Sequence, residues 1–182
     1  MRSVPEDPTL APWRELRERL AGYFAARAPG LLASEFVLSG RSGEAFGRLR
    51  MAGPRSAELK MGGARVEIER TARYGLLTDG AETLVAKPAR DTSGALQVRC
   101  GSRVYEARLN ILRNKAVAYS SGGEEAARIA GGLFSNRSYE AVFEAGDEGS
   151  LPVAVFLLYH TVALRRWAFL AGARGSEAPN NS

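Results

Sequence analysis

Few side chains in this sequence could carry covalent or acid–base chemistry. His160 is the one histidine, set in the run LPVAVFLLYHTVAL from Leu151 to Leu164. A lone imidazole among aliphatic neighbours reads as a core residue, and without further His or Cys it cannot build a zinc site. Cys100 is the one cysteine. Leu96, Val98 and Cys100 alternate with Gln97 and Arg99, so the thiol reads as a small buried hydrophobe at a strand end. A Cys100–His160 dyad would need the two to meet in space, which nothing in their spacing predicts. The glycine stretches Gly40-Arg-Ser-Gly43 and Ser120-Ser-Gly-Gly123 lack the lysine and following helix of a nucleotide-binding loop, and read as hairpin turns. No pair of carboxylates stands out for hydrolysis. The expectation is a non-catalytic protein with no metal and no cofactor.

What remains is charge. The net charge is +5, and 22 of the 25 basic residues are Arg, the side chain best suited to bidentate phosphate contacts. From Arg48 to Arg73 there are seven basic and three acidic residues, and from Arg99 to Lys115 five and one. From Glu124 to Glu148 the balance reverses to two and six. A mildly basic side opposite an acidic one follows. If the strands near residues 46–70 and 97–108 lie together, Arg48, Arg50, Lys60, Arg99 and Arg108 project outward as a candidate site for an anionic headgroup or phosphate. The competing reading pairs each with a cross-strand acid such as Glu58 or Glu106. No run of consecutive Lys or Arg suggests a nucleic-acid partner.

These residues need elements to hold them. Trp13, Leu16, Leu20 and Phe24 fall on one helical stripe, which predicts an amphipathic helix over 12–28, begun by Pro12 and ended by Pro29-Gly30. From residue 35 to 144 short runs alternate with period two, among them Leu59 and Met61 against Glu58 and Lys60, and Tyr105, Ala107 and Leu109 against Glu106 and Arg108. Turns such as Gly53-Pro54, Gly62-Gly63, Asp79-Gly80 and Gly101-Ser102 separate about eleven antiparallel strands. A weak repeat of turn, Arg and strand recurs at Arg65, Arg103 and Arg137, with a Glu-bearing turn upstream at Glu44, Glu82 and Glu124. The unit reads as hairpin plus hairpin, shortened in the third copy.

The run from Leu151 is apolar on every side, so protein or lipid must surround it. Fourteen residues rise about 21 Å, short of the roughly 30 Å hydrocarbon core. Lengthening the span to residue 171 would place Arg165 and Arg166 inside it. The prediction is a mainly β (α+β) fold: a closed or nearly closed antiparallel barrel of about 11–12 strands around a hydrophobic helix at 151–170. Residues 1–11 are expected to be flexible and 172–182 disordered, flanking one domain at 12–171. One cysteine permits no intramolecular disulfide, and MRSVPEDPTLAPW lacks the apolar core of an export signal, so a cytoplasmic setting is expected.

Repeated antiparallel strands followed by one enclosed helix resemble the Tubby C-terminal superfamily, with its Tubby-like, LURP-one-related and phospholipid scramblase members. The stretch Gly146-Asp-Glu-Gly-Ser-Leu-Pro-Val-Ala-Val-Phe-Leu-Leu is similar to the family's acidic turn into its central helix. Tyr74-Gly-Leu-Leu-Thr-Asp-Gly-Ala-Glu-Thr-Leu-Val-Ala is similar to its strand–Asp-Gly–strand unit. The scramblases' Pro-rich segment, cysteine cluster and acidic calcium loop are absent, so scrambling does not carry over. The resemblance implies a non-catalytic barrel that binds an anionic ligand or phospholipid headgroup, peripheral to the inner face of a membrane, or that serves as a protein-interaction scaffold. Two other readings stay open on the sequence: a small-molecule or enzymatic barrel with a site near Cys100 and His160, and a tail anchor formed by 151–171.

Overall fold

Period-two alternation from Glu35 onward resolves into strands whose apolar residues point inward and polar ones outward. A computed structural model describes residues 7–30, 34–133 and 136–174, the last six as backbone only. Its first hairpins are β2 (Glu35–Ser39) with β3 (Ala45–Met51), and β4 (Ser56–Met61) with β5 (Ala64–Arg70). Then come β6 (Tyr74–Thr78), β7 (Ala81–Pro88), β8 (Ala95–Cys100) and β9 (Arg103–Asn110). The wall finishes with β10 (Lys115–Ser120), β11 (Glu125–Gly131) and β12 (Ser138–Phe143). Each pairs antiparallel with the next, and β1 (Tyr23–Arg27) pairs with both β2 and β12 to close a barrel of twelve.

β1 corrects the expected helix over 12–28. The helix α1 spans only Ala11–Leu20, after a 3-10 turn at Pro8–Leu10 whose N-terminus is capped by the Asp7 side chain. Ala21 and Gly22 both adopt positive φ (47° and 84°), which reverses the chain into β1. A side chain at Gly22 would put its Cβ 2.8 Å from the Phe143 carbonyl oxygen, so this reversal needs glycine. Phe24 shares the helical stripe by coincidence of spacing. It faces into the barrel from β1, edge-on to Phe46 at 5.8 Å. The expected flexible segment 1–11 lies in part outside the described residues; Asp7 to Ala11 are ordered by the cap, and Leu10 is buried.

β1 also completes the repeat. The first two copies contribute four strands each, β2–β5 and β6–β9, and the third only three, β10–β12. The strand before all of them in the chain fills the gap.

The central helix α2 runs Ser150–Arg174, and Leu151 to Tyr159 are all buried, Leu151 and Val153 to Tyr159 at most 1% exposed. Strands enclose this segment, which removes the tail-anchor alternative, and no helix among the described residues is long and apolar enough to cross a membrane. α2 extends beyond the expected end at 170, and the expected tail beyond Arg174 lies outside the described residues. The helix packs mainly against β10, β11 and β12. Those strands turn Ala116, Ala118, Ala127 and Ala141 inward, and methyl-sized side chains let a helix backbone approach closely. The facing wall supplies volume instead, through Phe36, Leu49, Leu59, Ile68 and Leu76, all fully buried. Small residues on one side and large ones on the other place α2 off-centre.

The two barrel ends differ. α1 covers the end where α2 begins, here termed the capped end. Its Trp13 indole N–H donates to Thr78 Oγ1 at 2.9 Å, and the Thr83 hydroxyl donates to the same oxygen at 2.7 Å. α2 leaves through the other, the exit end, where the Arg165 guanidinium donates to the carbonyls of Ile111 and Leu133 at 2.8 and 3.1 Å.

Candidate functional site

The five residues expected to form one basic face are divided by the fold. Arg48 and Arg50 lie on β3 and Lys60 on β4, with Arg48 directly opposite Lys60. Arg99 lies on β8 and Arg108 on β9. β6 and β7 intervene between the segments 46–70 and 97–108, and β5 adds to the separation of Lys60 on β4 from Arg99 on β8. Most of these cations are also matched. Arg48 pairs with Glu35 at 3.2 Å, Arg50 with Glu58 at 3.3 Å, and Arg108 with Glu106 at 2.6 Å. Alternating strands place opposite charges side by side here, so the arginines of the wall mostly serve their neighbours.

The interior does not bring Cys100 and His160 together either. Cys100 ends β8 at the capped end, where burial and then the negative charges of Asp147 and Asp7 push its thiol well above its ordinary range. A thiol held protonated is a poor nucleophile. His160 stacks on Phe156 (5.7 Å) and meets the edge of Tyr74 (5.0 Å). Tyr74 opens β6 at the exit end. Ten helical residues separate His160 from the start of α2, a rise of about 15 Å. Cys100 and His160 therefore belong to opposite ends of the barrel. Burial, with a smaller contribution from Arg70, lowers the His160 pKa to about 4, so the ring is neutral. Native protein is expected to react with a thiol-specific disulfide reagent at least about a hundredfold more slowly than urea-denatured protein; comparable rates would refute a buried, protonated Cys100.

At the capped end a buried carboxylate organises the turn into α2. Asp147 accepts from the Tyr105 hydroxyl at 2.8 and 2.9 Å and from the Gly149 N–H at 3.0 Å, and it lies 3.4 Å from Arg103 Nε. Burial and this hydrogen bond raise the Tyr105 pKa. A Cβ on Gly149 would stand 2.4 Å from the Tyr105 hydroxyl, so the phenol and the glycine fit only together. The Asp147 carboxylate is occupied by Tyr105, Gly149 and Arg103, which ties the turn into α2 to the β8–β9 end of the wall.

Charge is segregated between the ends rather than around the wall. In a barrel of hairpins, alternate connections fall at the same end. The connections of the capped end carry Glu44, Asp79, Glu124, Glu144, Asp147 and Glu148 against Arg41 alone. Those of the exit end carry Arg55, Arg73, Arg90, Arg113 and Arg137 against Asp91 alone, within the described residues. Lys115 and Arg27 end their strands beside them, and Arg165 and Arg166 emerge there on α2. Arg73 reaches along the wall to Glu82 at 2.9 Å. Arg55, Arg90, Arg113 and Lys115 are exposed and have no ion pair among the described residues. The same segregation complements the α2 dipole, whose positive end lies at the acidic end of the barrel. Among the described residues no group of three His, Cys, Asp or Glu could hold a metal ion.

Reading the sequence by strand faces missed this end. Assigning successive turns alternately to two groups, from the turn positions alone, would have separated the acids from the arginines.

No family model matches this chain, and no curated protein matches it. A solved structure of an Arabidopsis thaliana protein shares the fold, with a TM-score of 0.53 at 14% identity over 76% of this chain and 90% of the plant protein.

Proposed function

We propose that this chain is a divergent Tubby-like barrel, akin to the LURP-one-related and scramblase-like proteins, that works by binding rather than catalysis. Its ligand is a phosphate-bearing anion, met at the exit end of the barrel on the inner face of a membrane. The observation that carries this reading is the segregated charge: five arginines and one aspartate in the exit-end connections, with Arg55, Arg90, Arg113 and Lys115 exposed and unmatched. Near an anionic surface each such cation contributes about 1 kcal/mol, and the contribution falls off within a Debye length. The acidic capped end would be repelled by the same surface, so the charge distribution also sets orientation.

Flotation of the purified chain with phosphatidylserine-containing and with phosphatidylcholine vesicles tests the reading. Recovery on the anionic vesicles alone, declining as salt is raised, is expected. Competition by a soluble inositol phosphate would show that the headgroup chemistry suffices. Equal recovery on both vesicle types, insensitive to salt, would remove the proposal.

A further inference from the structure

Six large apolar side chains stand exposed among the described residues, and four of them share the exit end: Leu112 (89% exposed), Leu133 (59%), Trp167 (47%) and Ile111 (40%). The other two, Val104 and Val142, lie on the wall. Ile111 and Leu112 belong to the β9–β10 connection and Leu133 to the β11–β12 connection, which are neighbours because β10 pairs with β11.

The described parts of these loops are tied to their surroundings by hydrogen bonds. One guanidinium, that of Arg165, donates to the Ile111 carbonyl, the Leu133 carbonyl and Asn136 Oδ1. Asn114, fully buried and at a positive φ of 51°, donates from its side-chain amide to the Gly132 carbonyl at 2.8 Å and accepts the Gly131 N–H on its own carbonyl at 2.9 Å. A Cβ on Gly131 would come within 2.2 Å of that amide, so the loops interlock only with glycine there. The backbone is tied down while Leu112 and Leu133 project into solvent. Such an arrangement presents apolar side chains outward with little ordering left to do on contact.

The side chains at the tips project and are flanked by the exposed cations Arg113 and Lys115. A small phosphate compound needs a concavity to surround it, whereas projecting leucines among cations suit a soft surface that admits them between negative groups. Trp167, exposed on α2 at the exit end, is the residue type that favours the headgroup level of a membrane. We infer that the exit end docks on an anionic phospholipid bilayer, with Ile111, Leu112 and Leu133 entering the headgroup layer and Arg113 and Lys115 meeting the phosphates. This inference rests on the anion-binding reading above and narrows its ligand to an intact bilayer.

The test uses the full chain, phosphatidylserine-containing vesicles and the double variant Leu112→Asp/Leu133→Asp. Both positions are exposed, so an unchanged melting temperature shows that the fold survives. Binding is expected to weaken at least tenfold, while Arg48→Ala/Arg50→Ala on the wall leaves it within about twofold. Fluorescence gives a second readout, because of the two tryptophans Trp13 is buried and only Trp167 can be reached from outside. Lipids brominated near the headgroup should quench the wild type and spare the double variant. Equal binding by wild type and double variant, without quenching, overturns the docking inference and leaves charge-driven binding standing. A wild type that binds neither anionic vesicles nor soluble inositol phosphate overturns both. Binding of soluble inositol phosphate with no gain on vesicles overturns the bilayer alone.

Discussion

Phe156→Ala is expected to cost about 3–5 kcal/mol of stability, enough to unfold a large fraction of a marginal domain. The ring is fully buried on α2. It stacks on His160, meets the edge of Tyr74 at 5.5 Å and lies 6.5 Å from Tyr159. Strands on every side are fixed by hydrogen bonds to their neighbours, so the wall cannot collapse into the space left by the ring. Such sites show the upper end of the cavity penalty. Urea titration should record a lower midpoint with an unchanged slope. Leu112→Ala is the control, since that side chain stands almost wholly in solvent and its loss should cost under about 0.5 kcal/mol. A Phe156→Ala midpoint within error of wild type would mean that the helix is not packed as described.

The second large effect is acid lability centred on His160. Its folded pKa is depressed to about 4 from an ordinary 6.5, through burial first and the Arg70 charge second. Above about pH 6.5 the ring is neutral in both states and the full stability is present. As pH falls toward 4 the unfolded chain takes up a proton that the folded chain refuses, so stability declines by roughly 1.4 kcal/mol per pH unit. By about pH 5 the loss should reach about 2 kcal/mol. No second histidine shares this window. His160→Phe keeps a ring against Phe156 and has nothing to protonate, so its profile should be flat from about pH 6.5 to about 5. A wild-type profile flat over that range, or an equal slope in the variant, would contradict the neutral buried imidazole.

How far the sequence led depended on whether one signal or two acted at a position. Leu151 to Leu164 carries one signal, apolar character on all sides, and it specified an enclosed helix. Most strands from Glu35 to Phe143 alternate, with Thr83–Ala86 of β7 buried in succession as an exception, and eleven were legible. At Tyr23–Arg27 two signals coincided: Phe24 continued the helical stripe of Trp13, Leu16 and Leu20, and also faced inward on a strand. Ala21-Gly22 was the break, but such a dipeptide marks a helix end only weakly until the close approach to the Phe143 carbonyl is known. The expected basic face divided for another reason. Arg50 was read as an outward charge, correctly, but the side chain opposite it is decided by register, and register puts Glu58 there. Strand register does not assign a partner to a charge in a turn, and the unmatched cations Arg55, Arg90 and Arg113 are found in turns.

The seam between β1 and β12 has a consequence for how the molecule is made. Its two strands lie more than a hundred residues apart in the chain, so the first of them waits through synthesis of nearly the whole wall. The plug of the lumen, α2, follows every strand. A wall sealed early would shut out its own core, and the late, non-local β1–β12 pairing leaves a gap through which the helix can settle before the ring is complete. Folding is then paced by the slowest kind of contact, one whose loop must close before any reward arrives.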